Sequence, residues 1–212
     1  YNEALADFDQ AVMLNPDEAE FINQRGLIHH LLHHYQQALA DHERAIELAP
    51  DRAAYYVNRA RNNRLLGQLK VALSDLNYAI EMGGPNPDWL NQRGMVNEDL
   101  GDFDAAVADY SRAATIVPDG SAYVANRADT YERIGESELA FEDFTQALAL
   151  DPNNAFLLNR RGILHSAARR FEAAIADYTR AIELNPSAAV LYFNRANDYL
   201  ALDHAEHALE DY

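Results

Sequence analysis

Four histidines stand in LIHHLLHHYQQ, residues 27–37, with His29/His33 and His30/His34 each four residues apart. On one continuous helix that spacing puts two imidazoles on one face, where they could share a zinc ion. The reading depends on where the helix ends. No third ligand stands at a convincing spacing, and the chain has no cysteine, which excludes thiolate nucleophiles, disulfides and Cys-bound zinc. There is no phosphate loop, no Gly-x-Ser-x-Gly elbow and no paired metal motif. The residues therefore point to a chain that is not an enzyme and carries no cofactor and no metal.

Two charged columns are more regular. Arg25, Arg59, Arg93, Arg127, Arg161 and Arg195 recur every 34 residues, as do Asp7, Asp41, Asp75, Asp109, Asp143, Asp177 and Asp211. Aspartates that recur in this way read as architecture. Each arginine is expected to reach an aspartate of its own unit or of the preceding one, forming a structural charge ladder that penalises misregister. Just before the arginines stand Gln24, Asn58, Gln92, Asn126, Arg160 and Asn194, a row of side chains most of which both donate and accept hydrogen bonds. Asn23, Asn91 and Asn159 flank this row in alternate units.

The elements that carry these columns come from the same repeat. Ala4, Ala38, Ala72, Ala106, Ala140, Ala174 and Ala208 are 34 residues apart, and so are Ala11, Ala45, Ala79, Ala113, Ala147 and Ala181. Prolines keep the step at Pro16, Pro50, Pro118, Pro152 and Pro186; in GGPNP, Gly84 takes the expected place and Pro85 follows. A small residue recurs at Gly26, Ala60, Gly94, Ala128, Gly162 and Ala196. In FEAAIADYTRAIEL, Phe171, Ala174, Ile175, Tyr178, Ala181 and Ile182 form one apolar stripe at helical spacing. Each unit is thus a pair of amphipathic helices. The first is expected to end near Gly67, Gly101 or Gly135 in a left-handed cap, and the second at the proline. Asp17, Asp51, Asp119, Asn153 or Ser187 is expected to cap the next helix. His33 shares the column of these glycines, so the helix should stop there and leave His34 in the turn. Neither histidine pair then lies on one helix. With His42, the cluster suits sensing pH through repulsion on protonation.

A second period of 68 residues is superposed. NQRG at 23–26 and 91–94 and NRRG at 159–162 alternate with NRA at 58–60, 126–128 and 194–196. The array looks built by duplicating a pair of units.

With its 34-residue step, small residue, alanines and proline, the whole chain resembles the tetratricopeptide repeat (TPR) family. It departs from the family at the tryptophan position, which holds Ile22, Tyr56, Leu90, Val124, Leu158 and Tyr192. The resemblance implies an all-α fold, a right-handed α-solenoid, or superhelix, of stacked antiparallel helix pairs. Residues 1–18 correspond to the second helix of a first repeat, 19–52, 53–86, 87–120, 121–154 and 155–188 to complete repeats, and 189–212 to a partial seventh. The single array 1–212 is expected to belong to a longer protein.

In that family the first helices line a concave groove in which extended peptides commonly bind. By resemblance, the function is a noncatalytic protein–protein interaction scaffold or adaptor. The candidate peptide-binding residues are the amide row and its flanking asparagines with Arg61, Glu98 and Asp129. Asp99, Glu132 and Arg64 stand nearby. The row is similar to the asparagine ladder of O-linked N-acetylglucosamine transferase. A lysine-rich clamp like that of the chaperone adaptors is not available, since Lys70 is the chain's one lysine. The alternative is a self-assembling TPR scaffold that forms homo-oligomers through its uncapped solenoid ends.

Composition limits the partners. A net charge of −17, from 17 Lys+Arg and 34 Asp+Glu, removes the nonspecific attraction to phosphate, so nucleic acid and anionic membranes are not expected. Residues 87–154 carry fourteen acidic and four basic side chains, which suits a protein or peptide partner with a basic stretch. No apolar run is long enough to span a bilayer and no signal peptide is visible, so a soluble, cytoplasmic protein is expected.

Overall fold

The computed structural model describes residues 1–212 as thirteen α-helices. After α1 (Asn2–Leu14) come α2 (Ala19–Leu31), α3 (Tyr35–Leu48), α4 (Ala53–Leu65), α5 (Leu69–Gly83), α6 (Pro87–Leu100) and α7 (Phe103–Ile116). Then follow α8 (Ser121–Arg133), α9 (Ser137–Leu150), α10 (Ala155–Ala167), α11 (Phe171–Leu184), α12 (Ala189–Ala201) and α13 (Ala205–Asp211). The helices pack as sequential antiparallel pairs in a TPR-like stack. The chain forms two compact units, Tyr1–Ala113 and Ala114–Tyr212. Within the first, α2, α4 and α6 lie side by side; within the second, α10 and α12 do.

The alanine columns hold the pairs together. In the first unit Ala38, Ala45, Ala72, Ala79, Ala106 and Ala113 are fully buried, and in the second Ala140, Ala147, Ala174 and Ala181 are. Alanine loses no rotamer entropy on burial, so two backbones approach at little cost.

At three of the small-residue positions the packing leaves room for glycine alone. Gly26, Gly94 and Gly162 each face a ring sixteen residues on, at His42, Tyr110 and Tyr178, and a Cβ on any of the three would lie 2.6–2.7 Å from that ring. Where the small residue is Ala60 or Ala128, the corresponding positions hold Leu76 and Phe144, in the same cores.

Each first helix ends in the same backbone device. His33, Gly67, Gly101, Gly135, Arg169 and Asp203 all have positive φ, between 58° and 85°. In the first of these turns His34 N–H donates to His29 O and His33 N–H to His30 O, and in the next Gln68 N–H donates to Asn63 O and Gly67 N–H to Arg64 O. These are Schellman pairings. The column therefore imposes a left-handed residue whether or not it is glycine.

The expected N-caps are corrected by one position. The N-caps are Glu18, Arg52, Asn86, Gly120, Asn154 and Ala188, and only Asn86 and Asn154 accept hydrogen bonds from their own helix with the side chain. The cause is a tight turn: Glu18 N–H donates to Asn15 O, Arg52 to Ala49, Gly120 to Val117 and Ala188 to Asn185. Pro16 and Asp17, and their equivalents, form the middle of that turn, so the helix starts one residue later.

Candidate functional site

The charged and amide columns of the first helices are built on these caps and alanines. Six arginine–aspartate pairs link the two helices of a unit: Arg25–Asp41, Arg59–Asp75, Arg93–Asp109, Arg127–Asp143, Arg161–Asp177 and Arg195–Asp211. Each is bidentate, with Nε–Oδ2 of 2.7–2.9 Å and Nη2–Oδ1 of 2.5–2.7 Å. The fork uses two parallel N–H donors, a geometry that only arginine offers a carboxylate. Asp41, Asp75, Asp109, Asp143 and Asp177 are buried. Hydrogen bonding to Asp75 and Asp143 pushes the Arg59 and Arg127 pKa values further up, against the opposing effect of burial. The free Nη1 reaches the preceding second helix, from Arg25 to Asp9 at 3.2 Å and from Arg93 to Asn77 at 2.8 Å. Asp7 is exposed and joins no pair.

The amide row is partly paired within itself. Asn58 Nδ2 donates to Asn23 Oδ1 at 2.9 Å, and Asn194 Nδ2 to Asn159 Oδ1 at 3.0 Å. Gln24 donates to Glu20 on its own helix at 2.6 Å. Asn91 lies 3.9 Å from Met95 Sδ, and the main-chain carbonyl of Asn126 accepts from the Thr130 hydroxyl. Gln92 differs: its buried Oε1 has no donor.

The acidic candidates are engaged from inside. Arg64 Nε donates to Asp99 at 2.5 Å. Arg160 donates to Asp129 and Glu132 at 3.0 and 2.9 Å and lies over the Phe144 ring. Glu98 accepts from the Tyr110 hydroxyl at 2.8 Å. The acid-rich segment thus offers less free negative charge at these positions than its composition suggests. Arg61, by contrast, is exposed and forms no hydrogen bond or ion pair.

The histidines are drawn to separate partners. His30 Nδ1 donates to Asn62 Oδ1 at 2.9 Å, His33 Nδ1 lies 2.7 Å from the Tyr35 hydroxyl, and the His29 and His34 rings are 5.7 Å apart. No group of three or more His, Asp or Glu side chains surrounds a common point. His42 is fully buried with neither ring nitrogen bonded, and burial pushes its pKa down to about 3.

Sequence reasoning missed the cavity of about 250 Å³ among α2, α4, α5 and α6, bounded by His30, Ala60, Arg61, Arg64, Leu65, Leu76, Gln92, Met95 and Val96. Only the step of Met95 and Arg61 in one repeat column hinted at it. No helix is long and apolar enough to cross a membrane.

Comparison with known proteins comes down to one family. Tetratricopeptide repeat profiles match residues 155–188 and, as overlapping segments, 59–121 and 92–155. No curated protein matches by sequence. Among solved structures, PilF of Pseudomonas aeruginosa is 18% identical with a TM-score of 0.81, over 91% of this chain and 88% of that one. A thermophilic TPR protein of Thermus thermophilus is 21% identical with a TM-score of 0.67, over 86% and 99%. YrrB, a TPR protein with an unusual peptide-binding site, is 20% identical with a TM-score of 0.65, over 87% and 95%. At such identities the likeness is one of fold.

Proposed function

Because the chain belongs to the tetratricopeptide repeat family, we propose that it is a noncatalytic scaffold that binds an extended segment of another protein along the inner columns of its first helices. TPR proteins typically bind proteins or peptides. The observation that carries the reading is the contrast within the first helices: structural charges are paired off, yet the exposed Arg61 guanidinium is left without a partner beside an apolar cavity. An unpaired donor next to apolar surface is what the polar and apolar groups of an extended segment can complete. A basic partner finds Asp99, Asp129 and Glu132 already held by arginines.

Affinity capture from the native source tests the reading. Wild type is compared with a variant carrying Asn58→Ala and Gln92→Ala in the first unit and Asn194→Ala in the second, once both are shown to be equally helical. A protein retained by the wild type and lost from the variant supports an inner-face site. Identical retention by both refutes it.

A further inference from the structure

The cavity of the first unit has a chemistry more specific than peptide binding. Ala60, Leu76 and Val96 are buried beneath it, Met95 adds a polarisable thioether, and the exposed Arg61 guanidinium stands at its edge. At about 250 Å³ it is smaller than the roughly 300–1,000 Å³ of small-molecule pockets, a size that takes one apolar side chain together with the backbone beside it. Of the two guanidiniums that line it, Arg64 is bound by Asp99 and Arg61 is not. An arginine fork finds its best complement in a carboxylate.

We propose that this cavity takes one leucine- or methionine-sized side chain of an extended partner segment, while an Asp or Glu next to it on that segment pairs with Arg61. The proposal rests on the peptide-binding reading above and adds a sequence preference to it. Only one fork is free, which holds one side-chain carboxylate as the backbone continues past Gln92. The acidity of the whole chain does not forbid this, because salt screens carboxylates farther than about 8 Å from the contact.

The test is selection from a randomised dodecapeptide library displayed as N-terminal fusions, so that no peptide has a free terminal carboxylate, against the full chain. The expected result is enrichment of Leu, Met or Ile within two residues of Asp or Glu. A synthetic, amidated copy of the enriched peptide should bind about tenfold more tightly than the same peptide with Gln for the acid. Arg61→Glu should exchange the acidic preference for Lys or Arg at the same position, and Arg61→Gln should abolish it. Since Arg61 is exposed and unpaired, both variants should keep wild-type helicity. Met95→Trp, which fills the cavity, should remove the apolar preference and leave the acidic one. If the same peptides emerge from wild type and Arg61→Glu, or if the wild type selects basic peptides, the subsite proposal is overturned and peptide binding stands. If no peptide is enriched by any of the proteins, both readings fall.

Discussion

Tyr110 fills the space that Gly94 leaves empty: a Cβ on Gly94 would stand 2.6 Å from Tyr110 Cε1, inside van der Waals contact. The ring is fully buried and its hydroxyl donates to Glu98 at 2.8 Å, so it has no easy way to move. Small residue and ring are one packing unit.

Gly94→Ala should therefore destabilise the protein even though alanine is the better helix former. Overpacking of about 1–3 kcal/mol outweighs the gain of about 1 kcal/mol in helix propensity. Tyr110→Leu in the same chain reproduces the Ala60–Leu76 arrangement and should relieve the clash. Urea unfolding of the four proteins of the double-mutant cycle should give a coupling above about 1 kcal/mol. Additive effects would mean that the ring and the glycine are independent.

The arginine–aspartate forks should behave as register devices with little net stabilisation. Asp177→Asn strands a guanidinium that is 23% exposed, and should cost about 2–4 kcal/mol, at or below the usual range for a broken buried pair. Replacing both partners, Arg161→Met with Asp177→Leu, should bring stability back to within about 1 kcal/mol of wild type. Denaturant midpoints decide between this and a pair that stabilises in its own right, for which the double variant would stay as weak as the single one.

Acid should weaken the fold through His42. Folded, its pKa is pushed down to about 3 by burial, whereas the unfolded chain binds the proton near the ordinary value of about 6.5. Between those values the unfolded state holds more protons, so the contribution of His42 is intact above pH 6.5 and is lost as pH falls. At pH 5 the loss relative to pH 7.5 should be about 2 kcal/mol. His29 and His165, also lowered by burial, act in the same direction. His42→Tyr, which copies Tyr110 opposite Gly94, should remove most of this dependence; equal pH profiles for wild type and variant would refute the assignment.

Left-handed turns that lack glycine should be improvable. Arg169 has φ 58° in the column where Gly67, Gly101 and Gly135 stand. Arg169→Gly should raise stability by about 1 kcal/mol, and Gly101→Ala should lower it by a similar amount. Thermal melts of the two variants should shift in opposite directions.

The repeat itself was legible in the sequence because it is local. Alanine columns, prolines and the positive-φ column follow from helical periodicity and turn sterics, which depend on residues only a few positions apart. From them come the helix pairs, the family and the break between His30 and His34. The N-caps were misjudged by one residue, because the closure of the Asn15–Glu18 turn is not visible in residue type alone. Tertiary structure decided what needs two helices at once. It chose Asp41, sixteen residues on, as the carboxylate that Arg25 grips in its bidentate fork. It neutralised Asp99 with Arg64, left Arg61 free, and opened a cavity over Leu76. Charge in a sequence is only a count, while charge available to a partner depends on which side chains meet across neighbouring helices.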